Sequence, residues 1–470
     1  MNPFRKEHAF AGRLVLLGCG CIGQGTLPLL LRHIEMRPDQ ILVIDPNEPA
    51  LRLAHEMGAQ TLALRVTPSN LHEVLAPRLS PGGFLLNLSV DVSSTALMVL
   101  CREHGALYMD TCIEPWAGGY INTALPPAAR TNYALRESAL ALRGRGGPTA
   151  VLTHGANPGL VSHFVKQALL DIARDTGMAI KRPATREDWA LLAMRLAVRC
   201  IHIAERDTQL GAARRVPGEF VNTWSVEAFV DEGRQPAELG WGSHERHFPD
   251  DASRHEGGSQ ASIYLRRPGA ATRMRTWTPL AGAIHGFLIT HAESISIADH
   301  LTIGDPNRPA YRPTVHYAYH PCDDAVLSLH ELAALNWRVQ PRYRVMKEEI
   351  VSGTDELGVL LMGHARGAYW YGSQLSIEQA RKLAPHNSAT SLQVTAAVMA
   401  GVVWAMKNPA QDVVEPDDLP FEEILQLTRP YLGDVVGVYS DWTPLAGRSW
   451  LFEEDIDRHD PWQFKNFRVV

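Results

Sequence analysis

Three glycines, Gly18, Gly20 and Gly23, follow an apolar run at the spacing G-x-G-x-x-G. The first permits a tight turn, the second lets backbone approach a diphosphate, and the third lets a helix pack close on a strand. A second apolar run, 41–44, ends in Asp45, where a carboxylate can accept hydrogen bonds from ribose hydroxyls. This is the chemistry of a dinucleotide site. Cys21 and Ile22 lie inside the loop, and Asn87 and Ser89 end a later apolar run that faces the same crevice. Asp45 would repel a 2′-phosphate, so the pattern favours NAD over NADP. Arg13 and Arg32 are the nearest cations in sequence and are poorly placed to reverse that preference.

A second set of residues is acidic. Asp91 in NLSVDVSS and Glu114 in DTCIEPWAGGY both follow expected strand ends, where open parallel sheets bind ligands. Each also has a local explanation, Asp91 as a helix cap and Glu114 as a solvated loop acid. Asn157 precedes Pro158-Gly159 at another strand end, a place that equally suits turn chemistry. Trp224 lies in sequence between Glu205 and the pair Asp231-Glu232. A tryptophan is usually core, but one flanked by carboxylates can hold an ammonium on its ring face. His291 and Glu293 are two apart in LITHAESIS and share one face if that segment is a strand. Asp355 and Glu356 fall on a glycine-bounded turn, where acids are common for local reasons. Taken together, many acids around one aromatic suit a polyamine better than an acidic substrate.

Strand and helix must alternate to position these residues. Apolar runs at Leu14–Leu17, 41–44, 61–66, 83–90, Leu107–Asp110 and 150–153 read as strands, with helical segments at 22–34, 49–57, 70–78 and 93–104 between them. That alternation predicts an α/β fold, a Rossmann-type doubly wound parallel sheet. After the break GRGGP the character changes. Segments 285–297 and 314–319 alternate as half-buried antiparallel strands, and 353–358 reads as a hairpin turn. This predicts a second α+β domain with a mixed or antiparallel sheet. A long apolar helix over 387–406 follows, then an acidic tail with six large rings from Trp442 to Phe467. The expected division is an NAD-binding domain over 1–155, a substrate and dimerisation domain over 156–385, and a carboxyl-terminal helix and tail over 386–470 that packs back on the first.

Composition narrows the function further. With 470 residues and 45% hydrophobic content, the chain can bury more than one domain core. A net charge of −6 argues against broad nucleic-acid binding and tolerates a cationic ligand. No uninterrupted apolar run approaches membrane-spanning length, and MNPFRKEHAFAG has no apolar core before a cleavage site. The six cysteines have no zinc-like spacing, so no metal is expected and the thiols read as reduced in a cytoplasmic enzyme.

The chain resembles the bacterial homospermidine synthases over nearly its whole length. GCGCIGQGTLPLLLRHI, LNLSVDVSS, DTCIEPWAGGY, THGANPGLVSHFV, VNTWSVEAF, HGFLITHAESIS and NSATSLQVTAAVMAG match that family in order. The resemblance implies an NAD-dependent enzyme that joins two putrescines into homospermidine and releases ammonia, with no net redox change. Spermidine and diaminopropane are further candidate amines. It also implies a homodimer. Position by position, it places catalytic roles on Glu114, Asn157, Trp224 and His291, and substrate binding on Asp91, Glu205, Glu232, Glu293 and Asp355. Two other functions compete. A saccharopine or carboxynorspermidine-type dehydrogenase would need an arginine clamp for substrate α-carboxylates, and the quoted segments are rich in acids and poor in arginine. A non-catalytic NAD-binding regulator would need no acid and tryptophan constellation.

Overall fold

The computed structural model describes residues 4–469. Seven parallel strands form the first sheet, in the spatial order Val413–Val414, Ala150–Val151, Leu107–Asp110, Phe84–Asn87, Leu14–Leu17, Ile41–Asp45, Gln60–Ala63. Leu14–Leu17 is buried along its whole length, as expected of a strand covered on both faces. Its neighbours are Ile41–Asp45 on one side and Phe84–Asn87 on the other. Strand order reverses there, which opens a crevice at the carboxyl ends. The sheet confirms the Rossmann-type architecture. Its outermost strand, Val413–Val414, comes from the last part of the chain.

The second sheet is mixed and has eleven strands. Its main path runs Ala252–Arg254, Ser262–Pro268, Pro236–Gly240, Thr314–His320, Cys200–Asp207, Thr354–His364, Gly367–Ser376, Asp434–Ser440. Period-two alternation in Cys200–Asp207 sends Ile203, Glu205 and Asp207 to one face and His202, Ala204 and Arg206 to the other. The first face meets the larger core, and the second meets a smaller core closed by Phe464 and Phe467 from the tail.

Three expectations about the second domain are corrected. Thr314–His320 is a strand that pairs antiparallel with Pro236–Gly240 and Gly282–Phe287, as expected, but it is buried, not half-buried, and its other neighbour, Cys200–Asp207, runs parallel to it. The segment 285–297 is not one strand. The strand Gly282–Phe287 ends early, His291 is the N-cap residue, and Glu293 lies in the first turn of the helix Ala292–His300. Its Ser–Ile alternation mimics a strand because the helix is buried nearly all round, with Ser296 donating to Asp417 at 2.7 Å. The 353–358 stretch is not a hairpin turn. Gly353 (φ +117°) makes the bend, and Asp355 and Glu356 already lie inside the strand Thr354–His364.

The helix Ala389–Lys407 runs 19 residues, and a membrane-length window in it reaches a mean hydropathy of 1.5. It is a core helix, since 94% of that window is buried inside the protein. Ser388 caps it by accepting from Ser391 N, and it packs on the helix Cys21–His33. The rest of the tail divides. Asp434–Ser440 pairs with Gly367–Ser376, and Arg468–Val469 pairs with Arg273–Thr278. Phe464 and Phe467 are buried, while Trp450 and Phe452 stand exposed.

Candidate active site

Each glycine of the loop has its own constraint. A Cβ on Gly18 (φ +93°) would sit 2.5 Å from Leu88 O, and one on Gly23 would sit 2.4 Å from Gly18 O. Gly20 instead faces open space, with nothing within 4 Å of the place a Cβ would take. It is also the N-cap of the helix Cys21–His33, which has neither a side-chain cap nor an acid in its first turn. The first N–H groups of the helix therefore have no side-chain cap, the geometry that receives a diphosphate. Asp45 fixes the loop from the next strand, accepting from Cys19 N at 2.6 Å and Asn47 N at 2.8 Å. Its remaining lone pairs are free for ribose hydroxyls. These residues fit a dinucleotide.

Beyond the loop, one cavity of about 110 Å³ collects most of the expected site. Ile22, Asn87, Ser89, Glu114, Asn157, Glu205, Trp224, Glu232 and His291 all line it. Cys21 opens the first helix beside the glycines. Three expected residues are not among the lining side chains: Asp91, Glu293 and Asp355. Asp91 (φ +65°) does not cap the next helix, which Ser93 does; its own N–H donates to Glu114 Oε2 at 3.4 Å. Glu293 stands behind His291, and Asp355 lies on the strand next to Glu205.

The charges are arranged in two groups. In the first, His291 bridges two carboxylates, with Nε2 3.1 Å from Glu232 and Nδ1 3.2 Å from Glu293. Burial alone would lower its pKa, but the two carboxylates raise it well above the ordinary imidazole value, so the ring is a cation. Glu114 is pushed well above the usual carboxylate range, first by burial and then by Asp231 and Glu232.

The second group is Glu205, Asp207 and Asp355, all buried and on one face of the mixed sheet. Glu205 accepts from Asn157 Nδ2 at 2.9 Å and from Tyr317 OH at 2.5 Å. Burial nevertheless pushes its pKa up to about 8. Asp207 accepts from Thr223 Oγ1 at 2.6 Å and Gln209 N at 2.8 Å. Asp355, its ladder partner, has no well-aligned donor on either oxygen, and burial with the charges of Glu205 and Asp207 pushes its pKa far up. Trp224 is half-buried on the cavity wall, with its indole N–H donating to Tyr319 OH at 3.2 Å.

Sequence reasoning missed Asp207, Tyr317 and Thr390. Asp207 ends a strand not read from the sequence and Tyr317 lies on one read as half-buried, and only the register of Cys200–Asp207 against Thr314–His320 brings Tyr317 and Tyr319 to the face of Glu205. Thr390 lies in the first turn of the long apolar helix.

Comparison with known proteins places the whole chain in a family. Residues 14–151 match the family model described as the saccharopine dehydrogenase NADP binding domain, and residues 155–438 match the saccharopine dehydrogenase C-terminal domain. A homospermidine synthase from Blastochloris viridis is 57% identical, with 100% of both chains covered. One from Mesorhizobium japonicum is 50% identical over 97% of this chain and 96% of its own. The crystal structure of the homospermidine synthase from Legionella pneumophila in complex with NAD superposes with a TM-score of 0.92 at 47% identity, covering 98% of each chain. Full-length identity and the shared fold together show that this chain belongs to the homospermidine synthase family.

Proposed function

We propose that the protein joins two putrescines into homospermidine and releases ammonia, using one bound NAD that is oxidised again before the cycle ends. The observation that carries this is the lining of the cavity. Among the described residues it offers three glutamates and a tryptophan face beside the dinucleotide loop, and no lysine or arginine. A substrate with an α-carboxylate would find no arginine or lysine clamp there, and His291 is already held between Glu232 and Glu293, which disfavours a saccharopine-type dehydrogenase. A diammonium substrate supplies the missing positive charge.

When bound, NAD supplies a hydride acceptor for the amine carbon and later the donor that reduces the new imine. The chain's residues do the rest. Gly18, Gly20, Gly23 and the helix N-terminus hold the diphosphate, and Asp45 holds the ribose. Asn87 and Ser89, joined by a hydrogen bond of 2.6 Å, line the cavity beside the loop and would face the nicotinamide. An ammonium must lose a proton before its carbon can lose hydride. Glu114 is suited to accept it, because an arriving cation restores the charge that burial suppresses. His291 is already a cation between Glu232 and Glu293, so it orients Glu232 and does not act as the first base. The substrate iminium carries positive charge next to Trp224 and the glutamates, which stabilise it. Glu205, fixed by Asn157 and Tyr317, with Asp355 beside it, holds the far ammonium. The second amine attacks the same carbon, and ammonia leaves. Putrescine is the substrate, with spermidine and diaminopropane as further candidate amines.

The six cysteines are all free, which supports a reducing cytoplasm. Trp450, Leu451 and Phe452 are 82%, 62% and 75% exposed in one stretch, which supports a homodimer contact there. The activity test is mass spectrometry of the products from putrescine with substoichiometric NAD. Homospermidine and ammonia in equal amounts, many turnovers per NAD, are expected. Stoichiometric NADH with no homospermidine would mean a simple amine dehydrogenase.

A further inference from the structure

The turn 346–349 belongs to the second domain, between the strands Arg342–Val345 and Ile350–Ser352, yet it touches the glycine loop. Lys347 Nζ donates to Gln24 Oε1 at 3.0 Å. Gln24 lies in the first turn of the helix Cys21–His33, and its Nε2 donates to Cys19 O at 3.0 Å and Ala50 O at 3.4 Å. One amide thus ties the ammonium to the loop backbone. The charge of Lys347 acts on both loop thiols, Cys19 and Cys21, opposing the effect of their burial.

The turn is held in place. Lys347 N donates to Glu349 Oε2 at 2.8 Å, and Arg381 donates to Lys347 O at 3.0 Å and Glu348 O at 2.9 Å. Among the described residues, no carboxylate forms an ion pair with Lys347 Nζ, and no other lysine or arginine side chain hydrogen bonds to residues 18–25. A half-buried cation with no anion therefore waits beside a helix N-terminus that has no acid of its own. A helix end supplies N–H donors but only a partial charge, whereas a dinucleotide brings two phosphate charges.

We propose that Lys347 is the cation that the second domain lends to the diphosphate of the cofactor, with Gln24 holding it ready. The proposal rests on the NAD site described above. It makes cofactor retention depend on the second domain staying docked over the glycine loop, which suits an enzyme whose NAD stays bound through a cycle. The surrounding residues, EEI after Lys347, give no sequence signal of this role.

Isothermal titration of the full chain with NAD tests it. Lys347→Met should weaken NAD binding about tenfold or more, while Lys347→Arg keeps most of the affinity. Gln24→Glu should weaken NAD in the same sense with Lys347 still in place, because the new carboxylate pairs with the ammonium. The cofactor-free melting temperatures of the two Lys347 variants should stay close to that of the wild type. Wild-type affinity in Lys347→Met, or an equal loss in Lys347→Arg, would overturn the role of Lys347 while leaving the NAD site intact. Failure of the wild type itself to bind NAD would overturn both.

Discussion

Asn157 Nδ2 donates to Glu205 Oε2 at 2.9 Å, and this bond joins the loop leaving the parallel sheet to a central strand of the mixed sheet. With Asn87, Ser89 and Glu114 in the same lining, the cavity is built from both parts of the chain. Asn157 comes from the THGANPG segment and Glu205 from a strand 48 residues later.

Glu205 should impose a pH dependence with a definite sign. Its pKa is raised from 4.5 to about 8, so its charged form, the one that holds an ammonium, appears only as pH rises through about 8. The expected kcat/KM climbs through that range. Glu205→Gln should remove the climb and lower kcat/KM by roughly ten- to hundredfold, the worth of a hydrogen bond to a charged group. Stability moves the other way. Between pH 4.5 and 8 the folded state holds a proton that the unfolded state has lost, so the wild type loses stability with rising pH. Thermal melts should show Glu205→Gln gaining on the wild type from pH 4.5 to about 8 and levelling above it. A constant gap would mean that Glu205 is charged throughout.

His291 should behave as a buried cation. Its folded pKa is raised above 6.5, so its stabilisation is full below about pH 6.5 and lost as pH rises through the folded value. His291→Gln leaves Glu232 and Glu293 without their cation and should cost about 3 kcal/mol of stability near neutral pH. The difference in melting temperature from the wild type should shrink in alkaline buffer. An imidazole NMR signal that titrates near 6.5 would contradict the ion-pair assignment.

Trp224 should matter through its ring face. Trp224→Ala should lower kcat/KM by about 2 kcal/mol, roughly thirtyfold, and Trp224→Phe should keep part of it. Steady-state kinetics alongside thermal melts separate this from packing, because Trp224 also touches Phe229 at 5.5 Å between ring centroids. Equal stability losses in both variants, with full activity in the folded fraction, would reduce Trp224 to a core residue.

The dinucleotide half was legible because its signals are local. Gly18, Gly20, Gly23 and Asp45 lie within one strand-helix-strand unit, where spacing alone dictates geometry. The amine half was not, because its charges break local rules. Asp355 is an acid in the interior of a buried strand, next to Gly353 and Gly358, so a turn was the better local reading. Glu293 sits in a helix buried on all sides, where Ser–Ile alternation imitates a strand. Family motifs supplied those residues but not Asp207 or Lys347, whose positions depend on strand register and on contacts hundreds of residues apart.

In the proposed cycle one cofactor takes and returns the same hydride within a closed site. Putrescine deuterated at both terminal carbons, with catalytic NAD and an excess of unlabelled NADH in solution, tests it by mass spectrometry of the product. If the cavity keeps its cofactor until the second amine has added, homospermidine retains all of its deuterium. Product lacking one deuterium would show that NADH exchanges with solution between the two hydride steps, and the account of a closed cycle would be wrong.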